Sequence, residues 1–133
     1  MNKAIKQYIR CFENLSPEST NNLINCVTKD FMFIDPFNKT KGRRSFEKLL
    51  KSMFKKIRNP KFKVTYVAES KAVTFLKWNF SCELLKKKIQ FTGVSEITVK
   101  SNLIHKHIDY WDSGRNLYSN LPIIGRLFRK IHN

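Results

Sequence analysis

Two groups of polar residues have the types and spacing that acid–base chemistry requires, and the first is centred on Asp35. This residue precedes Pro36 and, in an extended chain, shares a face with Phe31 and Phe33. Apolar surroundings disfavour the charged form of a carboxyl group, so Asp35 could serve as a proton-transfer base. The structural alternative is that Asp35 starts a turn, in which its carboxylate accepts backbone amides.

The second group lies in the segment LIHKHIDYWD, where His107 and Asp109 stand two residues apart. On a strand they would share one face with His105 and Trp111, and the carboxylate could orient the imidazole as a base near neutral pH. The alternative is a hydrogen-bond network that only fixes the sheet. Side chains at this spacing lie roughly 6 to 7 Å apart, too far to share a metal ion easily, so no metal site is predicted.

The composition predicts one globular domain. The chain has 133 residues, of which 41% are apolar, and no apolar run reaches the roughly 20 residues that span a bilayer. The charged first residues are unlike a signal peptide, and three widely spaced cysteines without a CxxC motif are typical of free thiols. We therefore predict a cytoplasmic protein. The sequence has no P-loop, Rossmann or GxSxG motif, so no cofactor is predicted.

The formal net charge of +16 is concentrated in residues 39–63, which carry eleven bases and only Glu47 as an acid. Such a segment could attract phosphate or another anionic surface. The alternative is a lysine-rich surface that reflects biased composition. No aromatic side chains that could stack on bases are interleaved with the charges, so sequence-specific nucleic-acid binding is not predicted.

Apolar spacing predicts three helices in the first half of the chain. Residues 3–14 place one apolar stripe on the first helix, and Ser16 and Pro17 predict the start of a second, whose buried side includes Val27. The third helix is predicted over residues 43–57. Between the last two, residues 30–35 are predicted as a short strand and the segment PFNKTKG as a loop.

The second half predicts four strands joined by short turns, at Lys86–Lys88 and Ser101–Asn102 among others, and therefore an antiparallel meander. Helices followed by strands indicate an α+β fold. In the first of these strands Tyr66 is predicted to share a face with Phe62, Val64 and Ala68. In the last strand the face opposite His107 carries Ile104, Ile108 and Tyr110, an apolar surface typical of a partner contact.

Residues 113–133 are predicted as an amphipathic basic tail that packs on its own domain or on a second subunit. The helical stripe comprises Ile124, Leu127, Phe128 and Ile131, with basic residues off the stripe. Peripheral contact of this tail with a membrane surface is the less favoured alternative.

Several short motifs follow one another in a characteristic order: Tyr8 on the first helix, Asp35-Pro36, Gly42 before the third helix, Trp78, Gly93 to Ser95, and the segments HIDYWD and LPIIGRL. Over essentially the whole chain this order resembles the nuclear transport factor 2-like superfamily, which includes ketosteroid isomerases, limonene epoxide hydrolases and SnoaL-like polyketide cyclases. The last two motifs most resemble SnoaL-like bacterial proteins of unassigned function.

The resemblance implies a cone, in which a strongly curved, mostly antiparallel sheet wraps around three N-terminal helices and encloses a pocket, within residues 1–112. It places Asp35 on the general base of ketosteroid isomerases and Tyr8 on a tyrosine that stabilises an oxyanion. Ser95 stands where that branch has a protonated Asp, which argues against identical chemistry. Many relatives dimerise through the outer sheet face, so a homodimer is predicted. The predicted ligand-lining residues are Phe31, Phe33, Trp78, Phe80, Ser95 and Trp111.

Three functions remain open on this basis. The first is an isomerase-, cyclase- or hydrolase-type enzyme that holds a small apolar molecule in the cone, with Asp35 as the base and Tyr8, Ser95 or His107 as donors. The second is a ligand- or protein-binding module without chemistry. The third is an anion or nucleic-acid binder that uses residues 39–63.

Overall fold

The computed structural model describes residues 1–113, and these contain three helices and six strands. The predicted tail lies outside the described residues except for Ser113. The elements, in chain order, are α1 (Lys3–Glu13), α2 (Thr20–Ile24), β1 (Val27–Ile34), β2 (Lys39–Lys41), α3 (Arg43–Lys56), β3 (Arg58–Glu69), β4 (Thr74–Leu84), β5 (Lys87–Lys100) and β6 (Leu103–Tyr110).

The six strands form one curved sheet in the order β2-β1-β6-β5-β4-β3. The last four strands are consecutive antiparallel neighbours, which confirms the predicted meander, while β1 pairs with β6 in parallel. Helices α1 and α3 contact the sheet, α1 at β3 and β6, and α3 at β1, β2 and β3. The predicted α+β cone around N-terminal helices is confirmed.

The helices bury the stripes that their apolar spacing indicated. Ile5 and Tyr8 of α1 and Phe46 and Leu50 of α3 are buried, and they join the apolar side chains of the sheet in one core. At roughly 1.5–3 kcal/mol for each fully buried large apolar side chain, this shared core is what holds the helices against the sheet.

Three predictions for the segment before α3 are corrected by the structure. Ser16 does not cap the second helix, because the Ser19 hydroxyl accepts the Ser16 amide and closes a turn, so that α2 begins only at Thr20. Val27 is part of β1 and not of a helix: the neighbouring Cys26 carbonyl accepts the Ile104 amide, which brings this segment into the sheet. The predicted loop PFNKTKG contains β2, which pairs with β1.

A β-bulge at His105 corrects the predicted faces of β6. Thr98 pairs with Lys106 but Val99 pairs with Ile104, so His105 is an extra residue that reverses the alternation. Ile104 is therefore 0% exposed in the core, and the surface predicted for dimerisation retains only Ile108 and Tyr110. His105 does not share the face of His107.

Strand β3 contains a second β-bulge, at Thr65. Val64 pairs with Trp78 and Tyr66 with Lys77, which leaves Thr65 without a partner position in the ladder. Tyr66 is consequently 70% exposed, with the Lys77 ammonium 5.6 Å from its ring centre, and Val67 packs on the core in its place. The prediction that Tyr66 shares a face with Phe62 and Val64 is wrong for this reason.

Candidate functional site

A cavity of about 110 Å³ lies between the inner face of the sheet, α1 and α3. Three polar residues, Asp35, Asn38 and Asp109, reach an otherwise apolar wall. That wall consists of Phe12, Leu15, Phe33, Phe46, Leu49, Leu50, Met53, Ile57, Phe62, Trp78, Phe80, Phe91 and Trp111. Two carboxyl groups thus face one largely apolar space.

Asp35 follows β1 and has both properties that its sequence position suggested. Its Oδ1 accepts the amides of Phe37 and Asn38 at 2.8 and 2.6 Å and the Asn38 side-chain amide at 3.0 Å, which closes the turn before β2. Burial nevertheless raises the pKa of Asp35; the hydrogen bonds oppose this shift, and the nearby Asp109 adds to it. Asp35 is thus a turn former whose carboxyl group holds its proton more strongly than an exposed one.

Asp109 is the cavity end of a buried chain of hydrogen bonds. His107 Nε2 lies 2.6 Å from Asp109 Oδ1, and His107 Nδ1 lies 2.7 Å from the Tyr8 hydroxyl. With Tyr8 as donor, the imidazole accepts at Nδ1 and donates from Nε2 to the carboxylate. Burial, with a smaller contribution from Asp109, raises the pKa of Tyr8 well above its ordinary value, so this hydroxyl keeps its proton.

Ser95 and Trp78 extend the chain from the other side. The register opposes Ser95 to Asp109, which places both side chains on the inner face, and the Ser95 hydroxyl donates to Asp109 Oδ1. The Trp78 indole N–H donates to Ser95 Oγ at 2.8 Å. Both donors to Asp109 therefore converge on Oδ1. Among residues 1–113, no group donates a hydrogen bond to Oδ2.

The predicted site residues do not all reach the cavity. Asp35, Asp109, Phe33, Trp78, Phe80 and Trp111 line it. Tyr8, His107 and Ser95 instead border an adjoining space of about 20 Å³, which Asp109 also contacts. Phe31 is absent from the lining, because its ring packs against Phe46 at 4.9 Å. The Tyr8 hydroxyl, for which the resemblance implies an oxyanion role, contacts His107 and does not line the larger cavity.

Sequence reasoning missed Asn38, which is buried, holds both Asp35 oxygens and lines the cavity. Its place three residues after Asp35 was the available signal, because an Asp at the start of a turn accepts amides two and three positions later. His105 lies on another face, where its Nδ1 is 3.0 Å from the Thr28 hydroxyl and 3.6 Å from Asp30.

The basic segment has few specific contacts in the structure. Arg43 donates twice to the Val27 carbonyl, at 2.9 and 2.6 Å, Lys51 pairs with Glu47 at 2.9 Å, and Lys63 lies 3.9 Å from Glu13.

Residues 1–113 contain no cluster of three potential metal ligands. In the same part of the chain, no helix has the length and apolar character needed to cross a bilayer.

Tyr8→Phe tests the hydrogen-bond chain. The substitution leaves the buried Nδ1 of His107 without its donor, so we expect the free energy of unfolding to fall by about 1–3 kcal/mol in urea denaturation. The control is Tyr66→Phe, at an exposed ring, for which a change within about 0.5 kcal/mol is expected. Equal effects of both substitutions would contradict a stabilising role of the Tyr8–His107 contact.

Comparison with known proteins gives a family match and several similar structures. The family model of the SnoaL-like domain matches residues 5–107. No curated protein sequence is significantly similar to the chain.

Three solved structures illustrate the similarity of the fold. A hypothetical protein of ketosteroid isomerase-like fold from Catenulispora acidiphila, in complex with trimethylamine, has a TM-score of 0.75 at 12% identity, over 86% of this chain and 89% of its own. A LEH-like epoxide hydrolase from M. tuberculosis has a TM-score of 0.73 at 16% identity, over 92% of this chain and 89% of its own. A candidate polyketide cyclase from Xanthomonas campestris has a TM-score of 0.75 at 11% identity, over 84% of this chain and 90% of its own. At these identities the likeness establishes the fold alone.

Proposed function

The chain belongs to the SnoaL-like domain family, and on this premise we propose that it is an enzyme that binds a small, largely apolar molecule in its cavity and moves a proton on it, with Asp35 as the base. The family scaffold supports many activities, so the proposal depends on the site and not on the fold.

One observation carries the proposal: Asp35 and Asp109 both face the same apolar cavity. Their surroundings differ, because Asp35 is held by a turn and has a raised pKa, whereas Asp109 accepts donors from His107 and Ser95 on Oδ1. Two carboxyl groups in unlike environments are a common arrangement for acid–base catalysis, in which one accepts a proton while the other positions the substrate or a water.

The size of the cavity restricts the substrate. A cavity of about 150 Å³ in another protein accommodates benzene, so about 110 Å³ limits the substrate to one small ring or a short branched chain at most. The rings of Phe33, Phe62 and Trp111 give this molecule apolar contact. In the reaction, Asp35 removes a proton from a carbon or from water, and Asp109 Oδ2 accepts a hydrogen bond from a water or hydroxyl group in the cavity.

Two single-ring probes test the proposal. Isomerisation of cyclohex-3-enone to the conjugated enone needs one base that removes and returns a proton, whereas hydrolysis of cyclohexene oxide needs a base for water and an acid for the epoxide oxygen. Binding can be followed by tryptophan fluorescence, because both tryptophans of the chain line the cavity. Saturable turnover of either probe supports the proposal. Binding without turnover supports the second candidate, and the absence of both overturns the cavity as the site.

The second candidate is binding without chemistry, of a small organic cation. Two carboxylates surrounded by aromatic rings match an ammonium group, which gains both ion pairing and cation–π contacts. The solved protein in complex with trimethylamine has the same fold. Fluorescence titration with tetramethylammonium and with its neutral analogue neopentyl alcohol distinguishes the two cases. At least tenfold tighter binding of the cation favours the second candidate, and equal or weaker binding excludes it.

A further inference from the structure

Two cysteines that the proposed chemistry does not use lie in contact. The Sγ atoms of Cys11, on α1, and Cys26, directly before β1, are 3.7 Å apart. Cys26 Sγ is also 3.2 Å from the Asn22 carbonyl. The Cys26 thiol therefore donates to this carbonyl, and the Cys11 thiol donates to Cys26 Sγ. This arrangement accounts for both protons of a reduced pair.

We propose that Cys11 and Cys26 are a redox-active pair, which a hydroperoxide converts into a reversible disulfide between α1 and the start of β1. Bond formation requires the sulfurs to approach by about 1.7 Å, to a separation near 2.05 Å. A change of side-chain rotamers with a small local shift of the last turn of α1, where residues 11–13 are only partly buried, can supply this distance.

The two sulfurs differ in accessibility, and this sets the order of events. Cys11 is half-buried and lines an open polar groove of about 540 Å³ together with Lys6, Arg10 and Asn14. Cys26 is only 7% exposed and is absent from that groove. A water-soluble oxidant in the groove therefore meets Cys11 first, and Cys26 acts second, from within the protein.

The steps balance in atoms and electrons. The Cys11 sulfur attacks the hydroperoxide, the O–O bond breaks, and Cys11 becomes a sulfenic acid while water or an alcohol leaves. The Cys26 sulfur then attacks the Cys11 sulfur, the S–O bond breaks, and the hydroxyl leaves as water with the Cys26 proton. Two thiols lose two electrons and the peroxide gains them. Burial raises the pKa of Cys26 to about 12, and the hydrogen bond with Cys11 adds to this shift. Cys26 therefore attacks only as its proton passes to the departing hydroxyl, and this second step is the slow one, because the thiolate is the stronger nucleophile.

The disulfide would affect the proposed site through α1. Tyr8 stands one helical turn before Cys11 on the same helix and donates to His107, so a fixed link at Cys11 limits how far this turn can move. The bond also closes a loop across a separation of 15 residues, which reduces the freedom of the unfolded chain. The oxidised protein should consequently unfold at a higher urea concentration.

The test treats the folded 133-residue chain with hydrogen peroxide and then alkylates the remaining thiols before peptide mass spectrometry. We expect the peptides of Cys11 and Cys26 to appear joined, with a loss of two hydrogens, and to separate after reduction with dithiothreitol. Cys82 should be alkylated only after unfolding, because it is buried in β4. The matched control Cys82→Ser should form the same link, and its urea midpoint should rise on oxidation by the same amount as that of the wild type.

Two variants and an unfolded control keep the outcome decisive. Cys26→Ser should convert Cys11 to sulfenic and then sulfinic acid without any link, and Cys11→Ser should leave Cys26 reduced. If Cys26→Ser does not fold, wild-type protein oxidised in urea provides the reference, in which random pairings that include Cys82 should appear. Over-oxidised Cys11 beside free Cys26 in the folded wild type, or links only between chains, would overturn the proposal.

Discussion

Asp35→Asn is expected to lower turnover of the responsive probe by about 100-fold or more, within the range that a general base contributes, while the protein stays folded. The amide keeps an oxygen that can accept the Phe37 and Asn38 amides, which the turn requires, but it cannot take up a proton. The substitution thus separates the base from the turn former. The measurements are kcat/KM and the urea midpoint of the same preparation.

The pH dependence of this variant provides an independent check. Because Asp35 must be ionised to act as a base, wild-type kcat/KM should rise with pH through a pKa above the ordinary value of 3.8. Between 3.8 and the raised pKa the folded state binds more protons than the unfolded state, so the Asp35 contribution to the free energy of unfolding falls as pH rises and then stays constant. The stability difference between wild type and Asp35→Asn should show this fall.

Asp30→Asn is the matched control, since this carboxylate is on the surface of β1 and does not line the cavity. It should leave kcat/KM within twofold of wild type. Asp35→Ala removes both the charge and the turn acceptor, and should lose activity and stability together. Full activity of Asp35→Asn would show that another group is the base, with Asp109 the first alternative because it reaches the same cavity.

Gly93→Ala should have the largest effect on the fold. A Cβ built at Gly93 would overlap the Trp78 ring at Cη2, would lie 2.5 Å from Cζ2, and would be 3.0 Å from the Tyr110 carbonyl oxygen. Trp78 cannot move freely, because its ring is buried beside Phe62 and Phe91 and its N–H donates to Ser95. We expect a loss of about 1–3 kcal/mol or more in the free energy of unfolding.

The Gly93 substitution should also disturb the site, because Trp78 holds the Ser95 hydroxyl that donates to Asp109. Thr92→Ala, at an exposed position next to it in β5, is the control and should change stability by less than about 0.5 kcal/mol. In a Trp78→Phe background the smaller ring leaves room for the added Cβ, so Gly93→Ala should lower the free energy of unfolding by less than it does in the wild type. If Gly93→Ala lowers the free energy of unfolding equally in both backgrounds, overlap with the Trp78 ring is not the cause of the loss.

Much of the architecture followed from local patterns. The stripe of Ile5 and Tyr8 predicted α1, and the spacing of Phe46 and Leu50 predicted α3 at nearly its observed bounds, because apolar residues at helical spacing are buried together. Alternation and turn residues likewise predicted the four-stranded meander. The Asp-Pro step predicted a turn, and the amides on Asp35 have the geometry expected for one.

Sequence patterns were less informative about Ser16 and Val27. Ser16-Pro17 has the composition of a helix start, yet the Ser19 hydroxyl closes a competing turn there. Val27 fits either a helix or a strand by its apolar character, and the hydrogen bond between Cys26 and Ile104, far apart in the chain, decides for the strand. Local propensity is weak enough for such contacts to override it.

The amino-acid sequence by itself determined the kinds of element, their order and the presence of Asp35, His107 and Asp109 beside apolar residues. Only the tertiary structure decided which side chains meet. A single extra residue in a strand reverses every face beyond it, and neither bulge has a signal of its own in the sequence; thus Ile104 is buried where a surface was predicted. The chain from Tyr8 to Asp109 depends on pairing between strands and on helix packing, which local spacing does not specify.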